Sequence, residues 1–220
     1  MNKTVLIIGS ETLLGRKLIE VYLNSGCKVI APVMTSQETM KESEKKNLLV
    51  IPWNRGSLVS AKTVYRESIR VFGTLDQAII VNPELSSTPA FEDIDTEVMD
   101  ELLNIYIHGT LYLIREILNY FKSKESGTLV FAETEKGLSP TAVLPSLISG
   151  SFHNTVEGLL LTDLEGLKSC AFTSRLTEME DYAQFIRGIL ESDDPKINGE
   201  WLLFSEKKNL FQSLPILKRK

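Results

Sequence analysis

The sequence predicts an α/β protein: one doubly wound parallel sheet of about seven strands, with helices on both faces. Three observations carry this expectation. Short apolar runs alternate with longer amphipathic ones along the whole chain, the order expected of right-handed βαβ crossovers. The short runs, such as "TVLII" and "QAIIV", are continuously apolar rather than alternating. Strands read this way when both faces of a parallel sheet are covered. Two of the amphipathic runs close on a glycine, Gly26 and Gly73, as helices do when the residue after the last turn must be left-handed. Together these describe a single-domain Rossmann-like fold spanning 1–220, with 206–220 as a C-terminal tail.

The elements follow in order. "TVLIIG" (4–9) is the first strand and "LLGRKLIEVYLNSG" (13–26) the first helix. "KVIAPV" (28–33) is the second strand, followed by a charged, helix-like stretch to Lys46. "LLVIPW" (48–53) is the third strand. Ser57 stands as an N-cap before the helix that ends on Gly73. "LDQAIIV" (75–81) is the fourth strand, and a long helical region with a break runs over 93–122. "GTLVFA" (127–132), "KSCAF" (168–172) and "EWLLF" (200–204) complete the sheet. Helices are expected over 146–165 and 179–192 between them. In such a sheet ligands bind at the carboxyl ends of the strands, near the point where strand order reverses.

Composition narrows the function classes. The net charge is −5, which argues against a nucleic-acid partner, since phosphate binding needs a basic face. No apolar run approaches the ~20 residues of a membrane span, and the first fifteen residues read as a strand and loop rather than a signal peptide. The expected location is cytoplasmic. Cys27 and Cys170 read as buried thiols of a reducing compartment. No His/Cys cluster has metal-ligand spacing, so no metal site is expected.

The first loop, "IIGSETLLGRKL", runs strand, Gly9, five residues, Gly15, helix. Two glycines there let backbone amides approach a pyrophosphate at a helix N-terminus. They serve equally for a tight turn and close helix–strand packing. Another stretch, "SGSFHNTVEGLLL" (149–161), places Ser149 and His153 four apart on one helix face. A nucleophile pair would also need an orienting group and an oxyanion hole, and no Gly-x-Ser-x-Gly elbow is present. The segment "SGS" reads more simply as a helix start or a small-residue packing site.

Several stretches resemble the short-chain dehydrogenase/reductase family. They are "GTLDQAIIVNPE", "EVMDELLNIYIHGTLYLIREIL", "SGTLVFAETEKG", "NTVEGLLL" and "EDYAQFIRGILESDDPKINGEWLLF", taken in the family's element order over nearly the whole chain. The resemblance implies NAD(P) at the first loop, held by Gly9, Ser10, Thr12, Leu13, Leu14 and Gly15, with Asn54 and Asn82 after the third and fourth strands. Leu13, or its neighbour Thr12, stands where the family has a third glycine, and its side chain crowds the pyrophosphate path. It also implies an Asn–Ser–Tyr–Lys tetrad for hydride transfer. Those four positions fall on Tyr106, Thr134, Ser149 and His153, so the sequence holds no Tyr-x-x-x-Lys.

A serine hydroxyl titrates far too high to replace the phenol, whereas His153 titrates in the working range. Tyr106 offers a phenol from the neighbouring helix. Two expectations follow. One is a catalytically degenerate relative, a pseudoenzyme with a binding, scaffold or regulatory role, with or without retained NAD(P) binding. The other is an active NAD(P)H-dependent oxidoreductase on a small carbonyl or alcohol, with a rearranged proton donor. The substrate-covering loop expected after the sixth strand is short here, "FTSRLTEMED", which leaves the site open. The apolar helix 93–122 implies a homodimer, or a heteromer with a relative.

Overall fold

The computed structural model describes residues 3–34, 46–85, 89–134, 142–164, 166–175, 177–192 and 194–205. The helix expected after the second strand and the tail 206–220 lie outside them. Seven strands form one sheet: β1 (Thr4–Ile8), β2 (Lys28–Val33), β3 (Leu48–Pro52), β4 (Gln77–Val81), β5 (Thr128–Thr134), β6 (Lys168–Ser174) and β7 (Glu200–Phe204). Their order is β3-β2-β1-β4-β5-β6-β7, and every pairing is parallel. The expected doubly wound sheet is therefore present, with its strand order reversing between β1 and β4.

Among the described residues there are six α-helices: α1 (Leu13–Asn24), α2 (Leu58–Phe72), α3 (Thr96–Leu103), α4 (Gly109–Lys124), α5 (Val143–Leu160) and α6 (Met179–Ser192). Side chains alternate across each strand. Val5, Ile7, Val29, Ala31 and Phe172 point to the face covered by α1 and α6, where Leu14, Leu18, Tyr182 and Ile186 meet them. Leu6, Ile8, Ile80, Phe131 and Trp201 point to the other face, under α2, α4 and α5. Each buried Leu, Ile or Phe stabilises by about 2 kcal/mol relative to exposure. Two covered faces thus explain why the strands are apolar throughout.

The helical region predicted over 93–122 carries the break expected of it. Between α3 and α4 the chain widens into a π-helical segment, Asn104–His108, in which the amide of Gly109 donates to the carbonyl of Asn104. The reason is packing. Gly109 lies against the backbone of Arg55, where a Cβ would stand 2.5 Å from the Arg55 carbonyl oxygen. The extra residue in the turn brings a glycine to that crossing; such bulges recur at functional sites.

Two further boundaries differ from the sequence expectation. α5 starts at Val143, so 149–151 lie inside the helix and are not its start. Cys27 is only half-buried; Cys170 is fully buried, and burial pushes its thiol up to about 12.

The first turn fixes how α1 leaves the sheet. Gly9 has φ +87°, and a Cβ on Gly15 would stand 2.1 Å from the Gly9 carbonyl oxygen. That oxygen is backbone and cannot move aside. Gly15→Ala is expected to lower stability by about 3 kcal/mol, an overpacking cost, measured by urea denaturation. A loss under about 0.5 kcal/mol, the scatter of surface substitutions, would show that the close approach is not real.

Candidate active site

The carboxyl edge of the sheet collects the loops after β1, β3, β4, β5 and β6. In the first loop most polar groups are committed to the turn. Thr12 caps α1: its Oγ1 accepts from the Gly15 amide at 3.0 Å and donates to the Gly9 carbonyl at 2.8 Å. The hydroxyl of Ser10 donates to the Pro32 carbonyl at 2.7 Å, tying the loop to β2. Leu14 is buried in the core. Leu13, standing where a glycine was expected, is 63% exposed and presents its side chain to solvent. The N-terminus of α1 opens on this edge, and its macrodipole favours an anion there.

Beside this turn lies an ion pair that the sequence reading missed. Arg55, just after β3, pairs through one terminal nitrogen with Glu11 of the first loop. Arg55 is almost wholly buried, its guanidinium 5.1 Å from the Trp53 ring centroid and 5.9 Å from that of Tyr106. Among the described residues its Nε, Glu11 Oε2 and the Trp53 indole nitrogen have no hydrogen-bond partner. Asn54 beside it is exposed, its amide nitrogen donating to the Ser60 hydroxyl at 2.9 Å.

The four residues that the resemblance assigns to the tetrad separate into two places. Tyr106, in the π segment, lies with Arg55. Ser149 and His153 lie one turn apart on α5 and meet the ends of β4 and β5. The amide nitrogen of Asn82 donates to the Ser149 hydroxyl at 3.3 Å, and Asn82 Oδ1 is buried without a partner among the described residues. His153 Nδ1 lies 3.1 and 3.3 Å from the two oxygens of Glu133. Its ring stacks on Trp201 of β7, centroids 4.8 Å apart and planes 26° apart. On the solvent side Nε2 is 3.6 Å from Glu157. Thr134 is buried at the end of β5. Tyr106 and His153 thus have separate sets of partners.

The Glu133 side chain is 1% exposed. A buried carboxylate persists only when paired or hydrogen-bonded, and His153 is the side chain that meets it. The hydrogen bond to Glu133 raises the His153 pKa above its ordinary value; partial burial opposes this, and the charges of Glu133 and Glu157 add to the rise. Position 153 was readable from the sequence. The partnership was not, because it joins residues from β5, α5 and β7 that are far apart in the chain.

Asn82 Oδ1 and Arg55 Nε are both buried polar atoms at this edge with bonding capacity to spare. Together with the glycine turn and the opening of α1, they fit a dinucleotide laid across the strand ends.

A histidine whose folded pKa is raised contributes stability that is fully present below its unfolded value, about 6.5. The contribution is lost as pH rises through the higher folded value. The His153 side chain is about a third exposed, so solvent screening leaves on the order of 1 kcal/mol. The stability gap between the native chain and His153→Gln is therefore expected to be larger near pH 5.5 than near pH 9. Denaturation curves showing the same gap at both would mean that the two side chains do not form a charged pair.

Comparison with known proteins agrees with this architecture. A family model described as short chain dehydrogenase matches residues 3–146. An uncharacterized oxidoreductase of Schizosaccharomyces pombe is 30% identical over 165 residues, 74% of this chain and 55% of that protein. An (S)-acetoin-forming diacetyl reductase of Staphylococcus epidermidis is 29% identical over 140 residues, 60% of this chain and 53% of that protein. The chain spans about half the length of these curated relatives.

Among solved structures, a short chain dehydrogenase from Bacillus anthracis superposes with a TM-score of 0.78 at 16% identity, covering 92% of this chain and 95% of that one. Relatives of the same fold bind NAD+ (Leptospira borgpetersenii, TM-score 0.73, 16% identity, 92% and 91% covered) and NADP (ElxO, 0.72, 18%, 92% and 97%). At these identities the likeness is one of fold. The sheet order, the glycine turn at its switch point and the family match over 3–146 agree: the chain belongs to the short-chain dehydrogenase family.

Proposed function

We propose that the chain is an NAD(P)-dependent oxidoreductase acting on a carbonyl or alcohol, with His153 as its proton-transfer group. The observation that carries this reading is the buried Glu133 carboxylate hydrogen-bonded to His153, on the helix and at the strand end where the family places its chemistry. A bound dinucleotide would supply or accept the hydride. Gly9, Ser10, Thr12, Leu13 and Gly15 at the first turn, with Asn54 and Asn82 after β3 and β4, are the residues that would hold it, whereas Leu14 is packed in the core.

The protein's own part is the proton. Glu133 accepts a hydrogen bond from His153 Nδ1–H, which fixes the ring orientation and leaves Nε2 as the exchangeable position. Stacking on Trp201 holds the ring plane. In reduction Nε2–H donates to the substrate oxygen as the carbonyl carbon is reduced; in oxidation Nε2 takes that proton back. A titrating imidazole meets the requirement that a serine hydroxyl fails.

One observation favours a second reading, a dinucleotide-binding or scaffold protein without turnover. Ser149 occupies the phenol's position, buried and hydrogen-bonded to Asn82. Either reading is compatible with a dimer formed through α4 and α5, whose Leu111 and Leu147 are exposed, and with the absence, among the described residues, of a helix long and apolar enough to cross a membrane.

The active reading predicts that the purified chain oxidises NADH or NADPH in the presence of small ketones and aldehydes. His153→Asn should lower kcat about 100-fold or more, the size of a lost general acid, with dinucleotide Kd unchanged. Tyr106→Phe should leave kcat within about two-fold. Dinucleotide binding without turnover on a broad carbonyl panel would select the binding reading. Light scattering after size exclusion tests the dimer; a monomer at all micromolar concentrations removes it.

A further inference from the structure

The reading above leaves Arg55 without a task, although it is the most deeply buried charged side chain near the glycine turn. We propose that Arg55 is a phosphate-binding residue of the dinucleotide site, and that Glu11 is its placeholder, displaced when a phosphate arrives. This rests on the dinucleotide reading of the same edge.

Four features support it. First, the pair joins the two loops that flank the site: Glu11 follows Gly9 by two residues, and Arg55 follows β3. Second, the pairing is incomplete. Glu11 engages one terminal nitrogen, while Arg55 Nε and Glu11 Oε2 remain buried and without a partner among the described residues. A guanidinium fork is built for two parallel bonds, and phosphate oxygens can use both donors where this carboxylate uses one. Third, the two partners differ in exposure. The Arg55 side chain is 3% exposed and the Glu11 side chain 36%. Glu11 can swing into water at little cost, whereas Arg55 is held between Trp53 and Tyr106, with its backbone against Gly109. Fourth, the first turn of α1, next to Glu11, contains no acidic residue, so the helix end keeps its preference for an anion.

A buried cation needs a counter-charge at all times. Glu11 supplies it in the free protein; the ligand supplies it in the complex. The exchange has a consequence for affinity, because every binding event must first release Glu11. Removing the competitor should therefore strengthen binding rather than weaken it.

The test is titration of the full chain with NADH and with NADPH, followed by fluorescence and calorimetry. Glu11→Gln is expected to tighten Kd about ten-fold. Arg55→Lys, which keeps a charge for Glu11 but lacks the fork, is expected to weaken it about ten-fold, with its melting curve as the control for folding. An equal loss for both dinucleotides assigns the pyrophosphate; a loss confined to NADPH assigns the 2′-phosphate. Glu11→Gln binding no tighter than the native chain, or Arg55→Lys binding equally well, overturns the proposal while leaving the oxidoreductase reading intact. No binding by the native chain and by Glu11→Gln at millimolar dinucleotide overturns both.

Discussion

A parallel sheet covered on both faces fills its interior with apolar side chains and leaves polar groups mainly to its two edges. At the amino edge they are committed to the fold: the Thr4 amide and the Lys124 ammonium both donate to Asp76. The carboxyl edge holds the buried charges Glu133 and Arg55. That division gathers Asn82, Glu133, Thr134 and Arg55 along the carboxyl edge, although they come from three separate stretches of chain. It also orients α1, whose close approach to Gly9 requires glycine at position 15.

Two buried charges at this edge follow the same design. Glu133 is sealed beneath α5 and meets His153; Arg55 is sealed between Trp53 and Tyr106 and meets Glu11. In each pair one partner is immobile and the other reaches solvent. A fixed buried charge preorganises the site, because its orientation is set by packing before any ligand binds. A mobile partner allows the site to exchange a proton or a counter-ion without unfolding. The π segment at Asn104–His108 belongs to this arrangement, since it lets Gly109 pass close to Arg55 while presenting Tyr106 to its guanidinium.

The fold was legible because hydrophobic periodicity is local. Each strand in the sequence lies within a residue or two of its place in the sheet, and Ser57 and Gly73 bound their helix as read. The errors fell where local signals are silent. "SGS" has the composition of a helix start but lies inside α5, which begins at Val143. The break read in 93–122 is present, but its form, a widened turn at Asn104–His108, is set by contact with a residue some fifty positions earlier. Cys27 sits at the mouth of β2, where only tertiary packing decides how far it is covered.

What the sequence determined by itself was the order of elements, the two-sided burial of the sheet, the glycine turn and the positions at which family chemistry would stand. Those properties depend on spacing and residue type within short windows. What the tertiary structure decided was partnership. Whether His153 is an ordinary surface histidine or the partner of a buried acid depends on β5 passing beneath α5. Whether Arg55 is a solvated charge or a confined one depends on Trp53, Tyr106 and Glu11 converging on it. Charge state and proton affinity are set by neighbours within a few ångströms, and those neighbours are brought together by the fold, not by the order of residues along the chain.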